Sequence, residues 1–245
     1  MKRLTLALLL IAAPCVAQWS AVQHHDSALN VSSGKLTLGF ASNVTIHDLL
    51  LFIDSQSTTV VGDTITALSE KQGGTCAEAV SSKWFAGSNR GNIDIWYCVA
   101  GATGVDTLFA TTTASGLTPR VSIQEFSGNA TSSPLDVSAG DTTAFVSAWS
   151  SSPFTMATTG DLVVGGTADL ADGGNVTISA GSGYTIYGQV SQNTGLAFAT
   201  EYKTGSATTD STTFTSTGNA FWVTAGVAFK PSAGGGGAAM GWTRH

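Results

Sequence analysis

Residues 92–128 read NIDIWYCVAGATGVDTLFATTTASGLTPRVSIQEFSG. Three short runs stand out in it: NIDIWYCVAG (92–101), TLFATTT (107–113) and RVSIQEFSG (120–128). Each is rich in β-branched and aromatic residues, which suit a pleated, half-buried surface, and each is cut off by glycine, serine or proline. They predict three successive β-strands. Toward the N-terminus, GKLTLGF (34–40) alternates Leu36, Leu38 and Phe40 with Lys35, Thr37 and Gly39, as a half-buried strand does. DLLLFID (48–54) is apolar throughout its middle, which predicts a central strand covered on both faces. QWSAVQHHDS reads as a first strand, and DTITALSE (63–70) as a further one, while CAEAVSSKWFAG (76–87) fits either a strand or a short helix.

Beyond NATSSPLDVSAG (129–140), a breaker-rich segment that reads as a long loop, the same pattern returns. AFVSAW, GDLVVGGTADL, GYTIYGQVS, GLAFATEYKT, STTFTST and AFWVTAGVAFK follow one another at intervals of about ten residues, the spacing of a sandwich or barrel. No fixed-period repeat runs through them, so a propeller or solenoid is not expected. The fold class predicted is all-β: one antiparallel, jelly-roll-like β-sandwich spanning residues 18–231, followed by a flexible glycine-rich tail over 232–245.

Composition agrees. Of the 245 residues 11% are charged and 42% apolar, with 29 glycines, six tryptophans and eleven phenylalanines. The formal net charge is −6, and no basic cluster is present, which argues against nucleic acid as a partner. At the N-terminus Lys2 and Arg3 precede an apolar run from Leu4 to Ala13, and Cys15-Val16-Ala17 places small residues before Gln18. That is the form of a secretory signal peptide over residues 1–17, too short to span a bilayer, which needs about 20 residues. Pro14 before Cys15 disfavours lipid attachment. The mature chain is therefore expected to be secreted, with no membrane span. The cysteines left to it, Cys76 and Cys98, are expected to bridge in an oxidising compartment. Closing a loop of about 22 residues stabilises by roughly 3 kcal/mol.

Several phrases in matching order resemble a broad family of exported bacterial β-sandwich domains of mostly unknown function: IWYCVAG (95–101), IQEFSGNATSSPLD (123–136), GDLVVGG (160–166) and the closing EYKTG…FWVTAGVAFKP (201–231). The resemblance implies a jelly-roll-like module found beside adhesion and sugar-binding domains. It implies no catalytic residues.

Candidate chemistry is sparse. Glu125 and Glu201 are the pair to test for glycan cleavage, which uses two carboxyl groups across a groove. Glu125 shares strand parity with Val121 and Ile123, and Glu201 with Ala197 and Ala199, so both are compatible with an inward direction. The alternative is that each caps a strand end, bonding backbone NH groups or Arg120 or Lys203. No G-x-S-x-G elbow accompanies the four histidines. His24-His25-Asp26 is expected to lie in a surface turn. Asp169, Asp172 and Asn175 gather oxygen ligands in one turn, but the spacing is not that of an EF-hand. An ordinary acidic turn with no metal or other cofactor is the expectation, and a structural calcium the alternative. Trp84, Phe85 and Tyr187 are the aromatic candidates for stacking on sugar rings, against core packing as the alternative.

These observations favour an exported, non-catalytic binding or structural module with carbohydrate or a neighbouring surface protein as ligand. The alternatives are a glycan-cleaving hydrolase using the glutamate pair, and a subunit of an extracellular particle or filament. Oligomeric state is not legible in the residues.

Overall fold

Leu49 to Ile53 form an unbroken apolar run because their strand is buried from two sides. Leu49, Leu51 and Ile53 enter one apolar cluster, and Leu50 and Phe52 enter another. The computed structural model describes residues 19–29, 34–58, 64–86, 89–113, 119–157, 159–169, 176–190, 197–205 and 208–233. The expected signal peptide and most of the glycine-rich tail lie outside them.

The elements are β1 (Ser20–Ala28), β2 (Lys35–Val44), β3 (Leu49–Thr58), β4 (Ile65–Glu70), β5 (Thr75–Ala86), β6 (Asn89–Val99), β7 (Gly104–Thr112) and β8 (Arg120–Ser127). They continue with β9 (Leu135–Ser150), β10 (Phe154–Thr155), β11 (Leu162–Asp169), β12 (Ile178–Ala180), β13 (Thr185–Val190), β14 (Phe198–Thr204), β15 (Thr209–Asp210) and β16 (Thr213–Phe229). No helix occurs among the described residues, and none is long and apolar enough to cross a membrane. The segment 76–87, open between strand and helix in sequence, supplies the strand β5. His24-His25-Asp26 lies within β1 rather than in a turn. The segment after β8 is a loop only as far as Pro134, where β9 takes over.

The fold is an antiparallel β-sandwich. A five-stranded central sheet has the order β1-β8-β3-β6-β5, and a six-stranded broad sheet has the order β12-β16-β11-β14-β13 with β9 paired to β16. A three-stranded short sheet, β2-β7-β4, packs on the other face of the central sheet. Between the central and broad sheets sit Leu51, Ile53, Ile95, Phe126, Val164, Phe198, Val223 and Val227, all buried. Between the central and short sheets sit Leu50, Phe52, Trp96, Leu36, Leu108 and Val121. Strand alternation produces both layers from the same strands, since neighbouring residues point to opposite faces.

The outer face of the broad sheet is covered by its own curled strands. β9 and β16 pair from Ser150 to Leu135 through several register shifts, and these bulges bend the pair over the sheet. Trp149 and Trp222 stack there with ring centroids 3.7 Å apart, and the Trp149 indole NH donates to Thr167 Oγ1 at 2.8 Å. Cys76 lies opposite Cys98 in the β5–β6 register, and the two form the expected disulfide.

Candidate functional site

The loops at one end of the sandwich converge on a cleft of about 540 Å³. They are the β2–β3 loop with His47, the β4–β5 turn with Gly73 and Gly74, the β6–β7 loop with Gly101, and the β8–β9 loop with Thr131, Ser132 and Ser133. Tyr97 of β6 forms part of the wall. Its ring meets Phe229 edge-on with centroids 5.4 Å apart, which fixes the aromatic at the cleft from the core side. Burial raises the Tyr97 phenol above its ordinary pKa, so it presents an intact hydroxyl.

Among the described residues, both non-glycine residues with left-handed backbone line this cleft: His47 at φ 72° and Ser133 at φ 47°. A side chain in that region costs about 1–2 kcal/mol, so surrounding contacts must hold it. They are present. His47 N donates to Ala100 O at 2.9 Å, Ala100 N donates back to Asp48 O at 2.9 Å, and Asn129 Nδ2 donates to His47 O at 3.0 Å. The imidazole itself is exposed. On the other rim, Lys230 N donates to Pro134 O at 2.7 Å, and Lys230 Nζ to Ser133 O at 3.3 Å.

The glycine floor rests on a buried carboxyl. Glu70 Oε1 accepts from Gly74 N and from Gly101 N, the latter at 2.8 Å. A Cβ on Gly74 would collide with Val99 O and with Glu70 Oε1, and one on Gly101 would sit 2.6 Å from Gln72 O. Only glycine lets the two loops close over Glu70 this tightly. Behind Glu70 lies Asp106, whose Oδ1 accepts from Thr107 N at 2.6 Å and Lys71 N at 3.1 Å. Burial first, then the hydrogen bond and charge of Glu70, push the Asp106 carboxyl up to about 6.

A second carboxyl pair stands beside it. Asp48 follows His47 in the chain and meets Glu125 of β8; burial, then the hydrogen bond and charge of Glu125, push Asp48 up to about 7. Glu125 is fully buried and accepts from Thr45 N at 2.9 Å and Gln23 Nε2 at 2.6 Å. It therefore anchors the β2–β3 loop that carries His47. Glu201 is also fully buried, on the outer face of the broad sheet, where it accepts from Thr213 N at 2.9 Å and Gly181 N at 3.0 Å. Burial outweighs these bonds and holds it up to about 7.

Glu125 and Glu201 are thus not brought together. They belong to different sheets, and Glu125 points toward the short sheet while Glu201 points away from both sheet–sheet layers. Each bonds backbone NH groups, the structural alternative that the sequence left open.

The aromatic candidates also separate. Tyr187 is half-buried among Phe126, Tyr202 and His24, with centroids 5.2, 5.0 and 4.6 Å away. Trp84 is half-buried against Phe221 at 5.2 Å, and Phe221 in turn meets the exposed Phe145 at 5.5 Å, far along the strands from the cleft. Phe85 falls within β5, but its side chain lies outside the described residues, as do Asp172 and Asn175. Asp169 is buried at the end of β11, where its Oδ1 accepts from Ala197 N at 3.2 Å and its charge acts on Arg120.

The cleft residues were not singled out in the sequence. His47 was one histidine among four, and Ser133 lay in a segment recognised only as breaker-rich. The usable signals were Gly73-Gly74 and Gly101 flanking the two cysteine strands. Comparison of the chain with protein-family models, with curated proteins and with solved structures finds no match.

Proposed function

We propose that this protein is an exported, non-catalytic binding module that takes a carbohydrate in the cleft between His47, Tyr97 and the Thr131–Ser133 loop. The observation that carries the reading is the chemistry of that cleft. A wall-mounted tyrosine supplies a face and a hydroxyl, and His47, Thr131, Ser132 and Ser133 supply hydrogen-bonding groups around it. Sugars are recognised by such a pairing of an aromatic surface with convergent polar groups. The two left-handed residues place these groups at a cost in backbone strain, and strain of that kind collects at ligand clamps. The Cys76–Cys98 bridge joins the two strands that carry Thr75, Ala77, Tyr97 and Val99 of the wall, which suits a preformed site and is compatible with an extracytoplasmic destination.

Glu125 and Glu201 stand too differently oriented to serve as a hydrolytic pair, and this supports binding over cleavage. A glycan array followed by calorimetry tests the reading. Tyr97→Ala is expected to weaken binding at least tenfold, and Trp84→Ala to leave it unchanged. Loss of binding in Trp84→Ala with retention in Tyr97→Ala would transfer the ligand to the Trp84–Phe221–Phe145 patch, and an array without any bound glycan would overturn the proposal.

A further inference from the structure

The face of the central sheet that meets the short sheet changes character along its strands. On β3 the sequence of that face runs Leu50, Phe52, Asp54, Gln56; on β6 it runs Cys98, Trp96, Asp94, Asn92. Asp54 and Asp94 are directly opposite one another in register, and Ser81 of β5 is opposite Asp94 on the other side. Like charges placed directly opposite destabilise a sheet. Both carboxyl groups are nevertheless completely buried.

One oxygen of each is clamped. Asp54 Oδ2 accepts from Gln56 Nε2 at 2.7 Å. Asp94 Oδ2 accepts from Asn92 Nδ2 at 2.7 Å, and from Ile65 N and Thr64 Oγ1 at 3.2 Å each. The other oxygens, Asp54 Oδ1 and Asp94 Oδ1, are buried without a hydrogen-bond partner, and so are Gln56 Oε1 and Ser81 Oγ. Four buried oxygen atoms on three adjacent strands are left without a partner in one small region. A single buried acceptor without a partner is costly, and a charged one more so. Burial, then the charge of Asp94, raises the Asp54 carboxyl against the hydrogen bond from Gln56. Burial also raises Asp94, against the Ser81 hydroxyl beside it and the bonds from Ile65 N and Thr64, with the charge of Glu78 adding to the rise.

The two other carboxyl pairs of this layer show what a shared proton looks like. Asp48 bonds Glu125 directly, and Asp106 bonds Glu70 directly. Asp94 acts on Asp54 by charge without such a bond; the Ser81 hydroxyl is the neighbour that favours a charged Asp94, and Asp54 Oδ1 and Gln56 Oε1 keep no partner.

We propose that Asp54, Asp94, Gln56 and Ser81 form a binding site for a hard divalent cation of the calcium class. Two carboxylates match its charge, and the amide and hydroxyl oxygens add neutral ligands, an all-oxygen set that suits such a cation rather than a softer metal. The hydrogen bonds to the outer oxygens of Asp54 and Asp94 hold them oriented, as partners of metal ligands do. The ion would tie β3, β5 and β6 together beneath the short sheet. This position is distinct from the acidic turn at 169–175.

The test uses the full chain stripped with a chelator. Calcium at a hundredfold excess over its Kd is expected to raise the unfolding temperature by about 5–10 °C. Terbium is expected to give saturable luminescence sensitised by Trp96, two residues from Asp94 on the same face, and calcium to compete it away. Asp54→Asn and Asp94→Asn should each lose both signals, while Asp106→Asn keeps them. Both asparagine variants should unfold in chelator no earlier than the native chain, because the amide removes the repulsion; their lost signal is then not a loss of fold. No response of the native chain to calcium, or a response that survives Asp54→Asn, overturns the proposal.

Discussion

The central sheet has two faces that solve burial differently. Toward the broad sheet it meets aliphatic and aromatic side chains, with neutral polar groups among them: Gln124 Nε2 donates to Thr200 Oγ1 at 2.6 Å, while Gln124 Oε1 is buried without a partner. The layer between it and the short sheet holds six buried carboxyl groups, contributed by both sheets and the β2–β3 loop, in three pairs around an apolar centre. The first layer holds by area removed from water, which no ordinary change of pH alters. The second holds its loops and strands through carboxyl oxygens that accept backbone NH groups, and two of its pairs keep a proton to do so. The same strands, β3 and β6, serve both layers, so the contrast is one of side-chain parity rather than of separate segments.

The largest expected effect probes the apolar layer. Phe126→Ala should destabilise by about 3–5 kcal/mol, read from urea unfolding, and by the same amount at pH 5 and pH 8. A strongly pH-dependent cost would break the distinction between the layers.

The acid-rich layer should respond to pH itself. Asp48 and Asp106 keep their protons up to about 7 and about 6 in the folded protein, while the unfolded chain releases them near the ordinary value of about 4. Their contribution is complete below that ordinary value, falls as pH rises, and is gone above about 7. The unfolding temperature is therefore expected to fall between pH 5 and pH 8. Asp106→Asn, whose amide can donate to Glu70 as the proton does, should make that fall shallower. An unchanged profile would show that the Glu70 pair does not hold a proton over this range.

The smallest effect lies outside both layers. Ser133→Gly removes the left-handed strain on the cleft rim and should raise stability by no more than about 1 kcal/mol, in thermal unfolding at any pH. A loss of stability instead would mean that contacts of the Ser133 side chain outweigh its backbone strain.

Much of this architecture is legible in the residues. The apolar run at 49–53 announces a strand buried on both faces, and the alternation of Leu36, Leu38 and Phe40 announces one buried on a single face. Both follow from a period of two. The 76–87 segment was ambiguous because Ala, Glu, Ser and Lys carry no strong strand preference; pairing with β6 made it a strand. The pairing of carboxyl groups was not legible. Asp54 and Asp94 are 40 residues apart in the chain and meet only through the β3–β6 register. Glu70 and Asp106 come together across the turn and loop that form the cleft floor. Parity made Glu125 and Glu201 look alike, since alternation says whether a side chain leaves the strand up or down and not which layer lies there.

Alone, then, the sequence determined an all-β sandwich, many of its strand positions and the cysteine pair, because these depend on local periodicity and composition. Tertiary structure decided that a third sheet covers the central one, that His47, Tyr97 and Ser133 share a cleft, and that buried acids stand in pairs. Those relations depend on register and on which sheet packs against which face, and both are set by contacts between residues distant in the chain.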